Sequence, residues 1–451
     1  MQNIKNKYPV FLFNEISLRL AKEKCYFRQY KRKSPVVIVS SPAAWRIFQH
    51  FDGTKTLAEI SAYLAPLFGI KTEMLLSDIC EMINPLLENN ILVLSGTQNK
   101  QISPALAIVA DKIRNNLHID LTEMCNENCI HCLADKDGNE LPEETVIAAM
   151  ESGAKAGLCS ISLSGGEAML HPGFWHIVEY ACAIGYSVTL FSNALKIDEE
   201  CAKRLSCLPI DDVRLSVYST VESIHDGITG VKGSLHKTMQ AAELLKKQGC
   251  RVYINCPVMK NNYDSAEKIM EYAKNNNFRF NLDASIQPAR DGRKDNKDLQ
   301  LSHNEKKHII ELMFPKGALG YNVEKDKMIC SAGSGQNYYI DSKGRVSLCP
   351  GMKIHIGNIN EKSLYEIIAE DTLTPECAAI TYETLDKCSK CELRKACQRC
   401  HARALRDSGR LGGCSKEDLA FALVHKEIME ERNVWNENNY KEHKDEREKC
   451  S

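Results

Sequence analysis

Between residues 116 and about 315, short apolar or β-branched runs alternate with amphipathic stretches. Runs at 117–121, 160–163, 187–191, 213–217, 251–254 and 278–282 predict strands. Leu235, Met239, Ala242 and Leu245 share one face of a helix predicted over 234–247, and further helices fall near 142–156, 173–184, 198–206 and 264–275. Ser302 and Glu305 have the spacing of a capping box that opens one more helix. Six strand–helix units give an α/β class with a parallel sheet, either an open doubly wound sheet or a partial (β/α)6 TIM barrel. In both, chemistry gathers at the C-terminal strand ends.

Residues 1–100 carry a different pattern. Apolar runs at 10–13, 36–39 and 91–94 predict short strands. A first helix is expected to open at Ser41-Pro42, with Pro at the first helical position, and to send Trp45, Phe48 and Phe51 into a core. Thr56 and Glu59 form a capping-box pair ahead of Ile60 and Leu64. Leu75, Ile79, Ile83 and Leu87 predict a helix over 73–89, which Pro85 is expected to kink or shorten. Strands with three short helices make a winged-helix-like unit.

Lys and Arg number 58 and Asp and Glu 59, so the net charge is −1 over 451 residues. That balance leaves no broad electrostatic footprint for nucleic acid or an anionic membrane. The helix over 73–89 carries Glu73, Asp78, Glu81 and Glu88 and no Arg, unlike a DNA-reading helix. No apolar run approaches the roughly 18 residues of a membrane span. The opening segment lacks an apolar signal core, so the expected location is the cytoplasm. Cysteine is the unusual component. The chain has 20, with only Cys25 and Cys80 before residue 116 and eight between 330 and 414. Clusters of that kind in a long cytoplasmic chain point to metal ligands rather than disulfides.

Cys125, Cys129 and Cys132 follow the first predicted strand as C-x-x-x-C-x-x-C. Three thiolates on a tight loop can hold three irons of a [4Fe–4S] cubane and leave the fourth open. A closed zinc site would need a fourth ligand, for which His131 is awkwardly placed beside Cys132. After the second strand stand Gly165, Gly166 and Glu167. Adjacent glycines let a ligand approach the backbone, and a carboxylate suits an ammonium group. Together these motifs resemble the radical S-adenosylmethionine (SAM) superfamily. The resemblance implies a cluster on Cys125, Cys129 and Cys132 whose open iron takes the amino and carboxylate groups of SAM, with Gly165, Gly166 and Glu167 at the methionine ammonium. It also implies SAM contacts from Asn193 after the third strand and from Ser216 and Tyr218 after the fourth. Ala194 stands where the family often has Gly. His225, Asp226, Gly230, Gly233 and Ser234 are similar to a loop of peptide-modifying members. Cys159, Cys182, Cys201, Cys207, Cys250 and Cys256 have no ligand spacing and are expected as small buried hydrophobes.

Cys330, Cys349, Cys388, Cys391, Cys397, Cys400 and Cys414 resemble the SPASM domain, an extension carrying two auxiliary [4Fe–4S] clusters. The Cys397–Cys400 interval is one residue shorter than the family's commoner spacing, and zinc ribbons also use C-x-x-C pairs. By the family arrangement, Cys388, Cys391, Cys397 and Cys414 close one cluster, while Cys330, Cys349 and Cys400 hold the other. Two closed clusters need eight thiolates, and the pattern gives seven. The last place falls to Cys377, to a non-Cys group, or to a substrate thiolate on an open iron. A soft sulfur ligand suits iron, and the open iron is the expectation taken forward.

Residues 51–60 resemble the RiPP recognition element, a winged-helix-like unit that binds leader peptides by strand addition. The resulting order is recognition element 1–100, linker 101–115, radical SAM core 116–315, SPASM domain 316–425 and a charged, solvated tail 426–451. The implied protein is a maturase of a ribosomal precursor peptide with SAM, three [4Fe–4S] clusters and an electron donor such as ferredoxin or flavodoxin. Its expected product is a thioether from Cys to a peptide carbon, as in sactipeptides and ranthipeptides. A carbon–carbon crosslink or a sulfatase-maturase-like oxidation is the alternative reaction. A non-catalytic zinc-binding regulator is the alternative class.

Overall fold

The computed structural model describes residues 4–29, 36–39, 41–100, 103–290, 292, 296–314, 328–433 and 435. The N-terminal unit comprises β1 (Tyr8–Phe11), β2 (Ile16–Ala21), β3 (Cys25–Gln29), β4 (Val36–Val39), α1 (Ala44–Phe48), α2 (Leu57–Phe68), α3 (Thr72–Glu88), β5 (Leu92–Ser95) and β6 (Val109–Ala110). β1 pairs with β5, and a second sheet runs β4-β3-β2-β6. Phe11, Phe27, Phe48 and Phe51 are fully buried with ring centroids 5.2 to 5.7 Å apart. The Thr56–Glu59 capping box forms and fixes the start of α2. α1 opens later than Pro42, because the Ser41 carbonyl and hydroxyl accept from Ala44 N and Ala43 N at 3.1 and 3.4 Å and close a turn first. α3 runs through Pro85, which falls in its last turn.

β2 and β3 escape sequence reading because Arg19 and Arg28 interrupt their apolar runs. Arg19 is fully buried. Its Nε donates to Leu158 O and its Nη1 to Ile184 O, both at 3.1 Å, and the guanidinium lies 4.9 Å from the Tyr186 ring centroid. Arg28 pairs with Asp211 at 2.5 Å. The N-terminal sheet is thereby pinned to the unit that follows. β6 falls in the segment expected to be a linker and pairs with β2.

That unit is β7 (Arg114–Asp120), α4 (Glu143–Lys155), β8 (Leu158–Ser164), α5 (Phe174–Ala183), β9 (Ser187–Ser192), α6 (Glu199–Ser206), β10 (Ile210–Ser216), α7 (Glu222–Thr229), α8 (Ser234–Lys247), β11 (Val252–Pro257), α9 (Ala266–Asn275), β12 (Arg279–Asp283) and α10 (His303–Met313). β7 to β12 are six adjacent parallel strands, the partial barrel expected. Leu117, Ile119, Ile161, Leu163, Val188, Leu190, Val213 and Leu215 bury one face beneath the helices. Alternate residues, among them His118, Asp120, Phe191, Arg214 and Tyr253, occupy the other face.

The C-terminal part holds β13 (Asn337–Ile340), β14 (Arg345–Ser347), β15 (Gly357–Asn358), α11 (Leu364–Ala369), α12 (Leu373–Ala379), α13 (Asp386–Ser389), α14 (His401–Ser408) and α15 (Lys416–Glu431). β13 pairs in parallel with β7, so the barrel sheet continues to nine strands. Of the charged C-terminal segment expected to be solvated, residues 416–431 form a docked helix, and residues 434 and 436–451 lie outside the described residues. Val424, Ile428 and Met429 of α15 pack with Ile310 of α10, and the expected boundary at 425/426 falls inside α15. Among the described residues, no helix is long and apolar enough to cross a membrane.

Arg19→Ala would leave the Leu158 and Ile184 carbonyls buried without their donor. The expected cost is about 2–3 kcal/mol, read as a lower melting temperature of the full chain with unchanged helix content.

Candidate active site at the mouth of the barrel

Cys125, Cys129 and Cys132, all half-buried, lie on the loop that leaves the C-terminal end of β7. The end of α7 seats this loop. Asn128 N donates to Thr229 O at 2.8 Å and Ile130 N to Ile228 O at 3.0 Å, which fixes the peptides on either side of Cys129. Carbonyls at a helix end have no partner within the helix and are free to do this. Asp226 secures the join to α8, accepting from Gly233 N, Ser234 Oγ and Leu235 N at 2.5, 2.9 and 3.0 Å.

The thiols are close enough that charge on Cys132 acts on both Cys125 and Cys129. Burial pushes Cys125 up to about 11 and Cys129 higher still. Both therefore stay protonated unless a cation replaces the proton, which an iron core does. The Cys129 thiol donates to Glu127 Oε2 at 3.3 Å, and burial raises Glu127 to about 7. Among the described residues no group of three or more His, Cys, Asp or Glu side chains is arranged to hold a single metal ion.

A glycine cradle lies beside the trio. A Cβ on Gly165 (φ +133°) would fall 2.3 Å from Thr122 O, and one on Gly166 would fall 2.3 Å from Met124 O. Gly166 N and Glu167 N donate to those same carbonyls at 2.7 and 2.8 Å. Only glycine permits this approach to the backbone leading into Cys125. The cradle and the three-thiol loop together fit an incomplete iron–sulfur cluster with a small ligand beside it.

Glu167 is buried, and its carboxylate already accepts from Asn193 N at 2.7 Å, Met169 N at 3.1 Å and Ser192 Oγ at 3.0 and 3.1 Å. In this arrangement it locks the end of β8 to the end of β9. Asn193 reaches the loop itself, its Nδ2 donating to Asn126 Oδ1 at 2.6 Å and lying 3.8 Å from Cys125 Sγ. Ala194, where the resembled family often has Gly, adopts the left-handed conformation with φ +69°. Tyr218 is buried with its hydroxyl 3.8 Å from Cys129 Sγ and hydrogen-bonds Ser216. His225 accepts from Tyr218 N at 3.2 Å, and burial lowers its pKa to about 4, keeping it neutral for that role.

A polar group on the inner wall was not legible in the sequence. Buried Asp120 is bonded by Tyr339 Oη at 2.5 Å, Arg290 Nη1 at 2.8 Å and His118 Nε2 at 3.3 Å. Burial alone would raise its pKa, but these partners outweigh burial and hold it well below the carboxylate range. Arg290 N also donates to Leu133 O at 3.1 Å, next to Cys132. Arg290 and Tyr339 lie 170 and 219 residues from Asp120, beyond the reach of any local pattern.

The C-terminal cysteines form two groups. Cys388 acts on Cys397 and feels Cys391 and Cys414, whereas Cys349 feels Cys330 and Cys400. Buried Arg399 lowers the pKa of Cys388 and Cys397, although burial is the larger effect and pushes Cys397 up to about 12. Cys400 N donates to buried Asp418 at 3.0 Å, and Asp418 is balanced by Arg403 at 2.6 Å. Outside these groups, Cys159, Cys182 and Cys256 are buried as expected. Cys201 and Cys250 are only half-buried and Cys207 is exposed at the end of α6, because those positions fall on the outer turns of the unit.

Both halves of this arrangement have known counterparts. Residues 119–273 match the radical SAM superfamily, and residues 330–401 match SPASM, an iron–sulfur cluster-binding domain. The chain is a radical SAM enzyme with a SPASM extension. It is 25% identical over 328 residues to the AdoMet-dependent heme synthase of Methanosarcina barkeri, covering 64% of this chain and 92% of that protein. It is 27% identical over 268 residues to the sporulation killing factor maturation protein SkfB of Bacillus subtilis, covering 55% of this chain and 63% of that one. The structure of Streptococcus suis SuiB bound to its precursor peptide SuiA shares the fold, with a TM-score of 0.63 at 16% identity over 91% of this chain and 99% of that one.

Arg290→Ala would leave the Asp120 carboxylate short of its cation in the barrel wall. The expected destabilisation is about 3 kcal/mol, against about 1 kcal/mol for Tyr339→Phe, both read by thermal melting.

Proposed function

We propose that the chain matures a ribosomally made precursor peptide by joining a Cys sulfur to a peptide carbon. The observation that carries this reading is the N-terminal sheet. Among the described residues its outer strand β4 pairs only with β3, and Arg19 pins the same sheet to the barrel holding the cysteine trio. An open edge can accept a leader as an added strand, so residues 1–100 serve as the recognition element. The Bacillus relative is named a maturation protein, and SuiB holds a precursor peptide; both support a peptide substrate. The archaeal relative is named a heme synthase, which makes a tetrapyrrole the competing substrate class.

Cys125, Cys129 and Cys132 would hold the SAM-binding cluster, with one further cluster at each C-terminal cysteine group. When bound, the first cluster and SAM supply a 5′-deoxyadenosyl radical that takes a hydrogen atom from the peptide, after which closing the carbon–sulfur bond releases one proton and one electron. Gly165 and Gly166 bring backbone to the methionine end of SAM, Asn193, Ser216 and Tyr218 line the same mouth, and Glu167 holds the cradle in place. The Asp120, Arg290 and Tyr339 group fixes the wall against which the peptide rests. The C-terminal cysteine groups, on the sheet continued from β7, offer a destination for the released electron. A small donor such as ferredoxin or flavodoxin supplies the reducing electron.

The test is turnover of a Cys-containing precursor encoded beside this chain. Iron-loaded protein, SAM and reductant should give 5′-deoxyadenosine and a peptide two hydrogen atoms lighter whose Cys resists iodoacetamide. A leaderless core peptide should react more slowly, on the order of tenfold or more, because the tethered local concentration is lost. A lighter product with a reactive Cys would make the bond carbon–carbon, and turnover of a tetrapyrrole with none of the peptide would overturn the reading. Cys125→Ala should lower iron from about twelve to about eight per chain and abolish 5′-deoxyadenosine.

A further inference from the structure

The seven-cysteine pattern leaves one C-terminal cluster a ligand short, and the fold brings an eighth thiol to it. Cys377 lies on α12 and is fully buried. The turn after Cys330 packs directly on it. Gly333 N donates to Cys330 O at 3.1 Å, and a Cβ on Gly333 would fall 2.6 Å from Ala378 N, the peptide that follows Cys377. Met328 and Thr381 form an antiparallel bridge that closes the same join. On the other side, the ring of His401, the residue after Cys400, lies against the Cys377 backbone. Gly351, two residues past Cys349, approaches Ala402 closely enough that a Cβ would lie 3.3 Å from the Ala402 Cβ. The residues after Cys330 and Cys400 thus pack on the backbone around Cys377, and the turn after Cys349 packs on the residues after Cys400. Electrostatic coupling agrees: Cys330 and Cys349 both act on the Cys377 thiol.

We propose that Cys377 is the fourth ligand of the cluster held by Cys330, Cys349 and Cys400, so that this cluster has no vacant iron. The inference rests on the reading of these cysteines as iron–sulfur ligands. On binding, the Cys377 thiol loses its proton to solvent and its sulfur takes the fourth iron. A closed cluster cannot anchor a substrate thiolate, so the open iron expected from the sequence count is replaced by a site that exchanges electrons only. The reacting peptide Cys must then be placed by protein groups.

The test uses the full chain carrying Cys125→Ala, Cys129→Ala and Cys132→Ala, so that only the C-terminal clusters load, with ¹³C-cyanide as the probe of a vacant iron. This protein should hold about eight irons per chain, two clusters of four. Its reduced paramagnetic resonance spectrum should be unchanged by cyanide. Adding Cys377→Ala should make one of the two signals shift with cyanide and acquire ¹³C coupling. Adding Cys377→Ser instead should retain the iron and move the g-values of that signal, which keeps the test decisive if the alanine variant folds poorly. Cyanide coupling with Cys377 intact, or a serine variant with an unaltered spectrum, would overturn the proposal. Absence of iron from the C-terminal cysteines would overturn it together with the cluster reading, whereas cyanide coupling leaves that reading standing.

Discussion

The site depends on one close approach of backbone to backbone. The loop carrying Cys125, Cys129 and Cys132 has no regular structure, and its path is set where residues 165–166 press against residues 122–124. Parallel register brings the two segments together, since Asp120 at the end of β7 pairs with Ser164 at the end of β8. The missing side chains of Gly165 and Gly166 allow the remaining distance to close, because a Cβ at either would clash with a carbonyl oxygen at 2.3 Å. Two hydrogen bonds then hold the approach, and the carbonyls at the end of α7 fix the far side of the loop. Three thiols so placed need little else from the local chain, whose own preferences are those of a flexible polar segment.

Much of this was legible because it is local. All six barrel strands follow from runs of apolar residues, and the capping boxes at Thr56, Ser302 and Ser363 form with both partners in place. Only the first two are among the expectations drawn from the sequence. The cysteine trio and the glycine pair are short motifs whose positions at strand ends follow from the α/β pattern. What stayed hidden is non-local or charge-disguised. β2 carries a buried Arg in its centre, α7 has only eight residues, and the Lys and Glu content of α15 hides the stripe of Val424, Ile428 and Met429. The Asp120 group joins three elements far apart in sequence. Cys377 has no motif spacing, and only the packing of α12 on the turn after Cys330 marks it out.

The charged groups inside the molecule share a logic. Asp120 is matched by Arg290, Asp418 by Arg403, and Asp211 by Arg28 and Arg251. A buried pair of this kind contributes little net stability, yet losing one member is costly, so such pairs fix geometry more than they strengthen the fold. Here each joins separate elements: Asp120 and Arg290 link β7 to the segment after β12, Arg28 and Asp211 link the N-terminal sheet to β10, and Asp418 and Arg403 link α15 to α14. Among the described residues, no hydrogen-bonded Ser–His–Asp or Cys–His–Asp set accompanies them. A radical enzyme can do without one, since its bound cofactors carry the bond-breaking step and the protein supplies orientation and exclusion of water.

The cysteine-rich extension is joined to the barrel at the place where that orientation matters. β13 extends the sheet from β7, the strand that delivers the thiol trio, and Tyr339 on β13 bonds the Asp120 carboxylate at the end of β7. The turn between β13 and β14 then reaches back to the cysteine loop. Lys343 pairs with Asp137 at 2.5 Å and Asp135 at 3.6 Å, and Ser342 Oγ donates to Glu123 at 3.2 Å. A ladder, a buried hydrogen bond and a surface ion-pair group therefore hold the two cysteine-bearing regions in one register. On the proposed reading, electron exchange between them would need a fixed separation, and a sheet shared by both regions provides one without a dedicated interface.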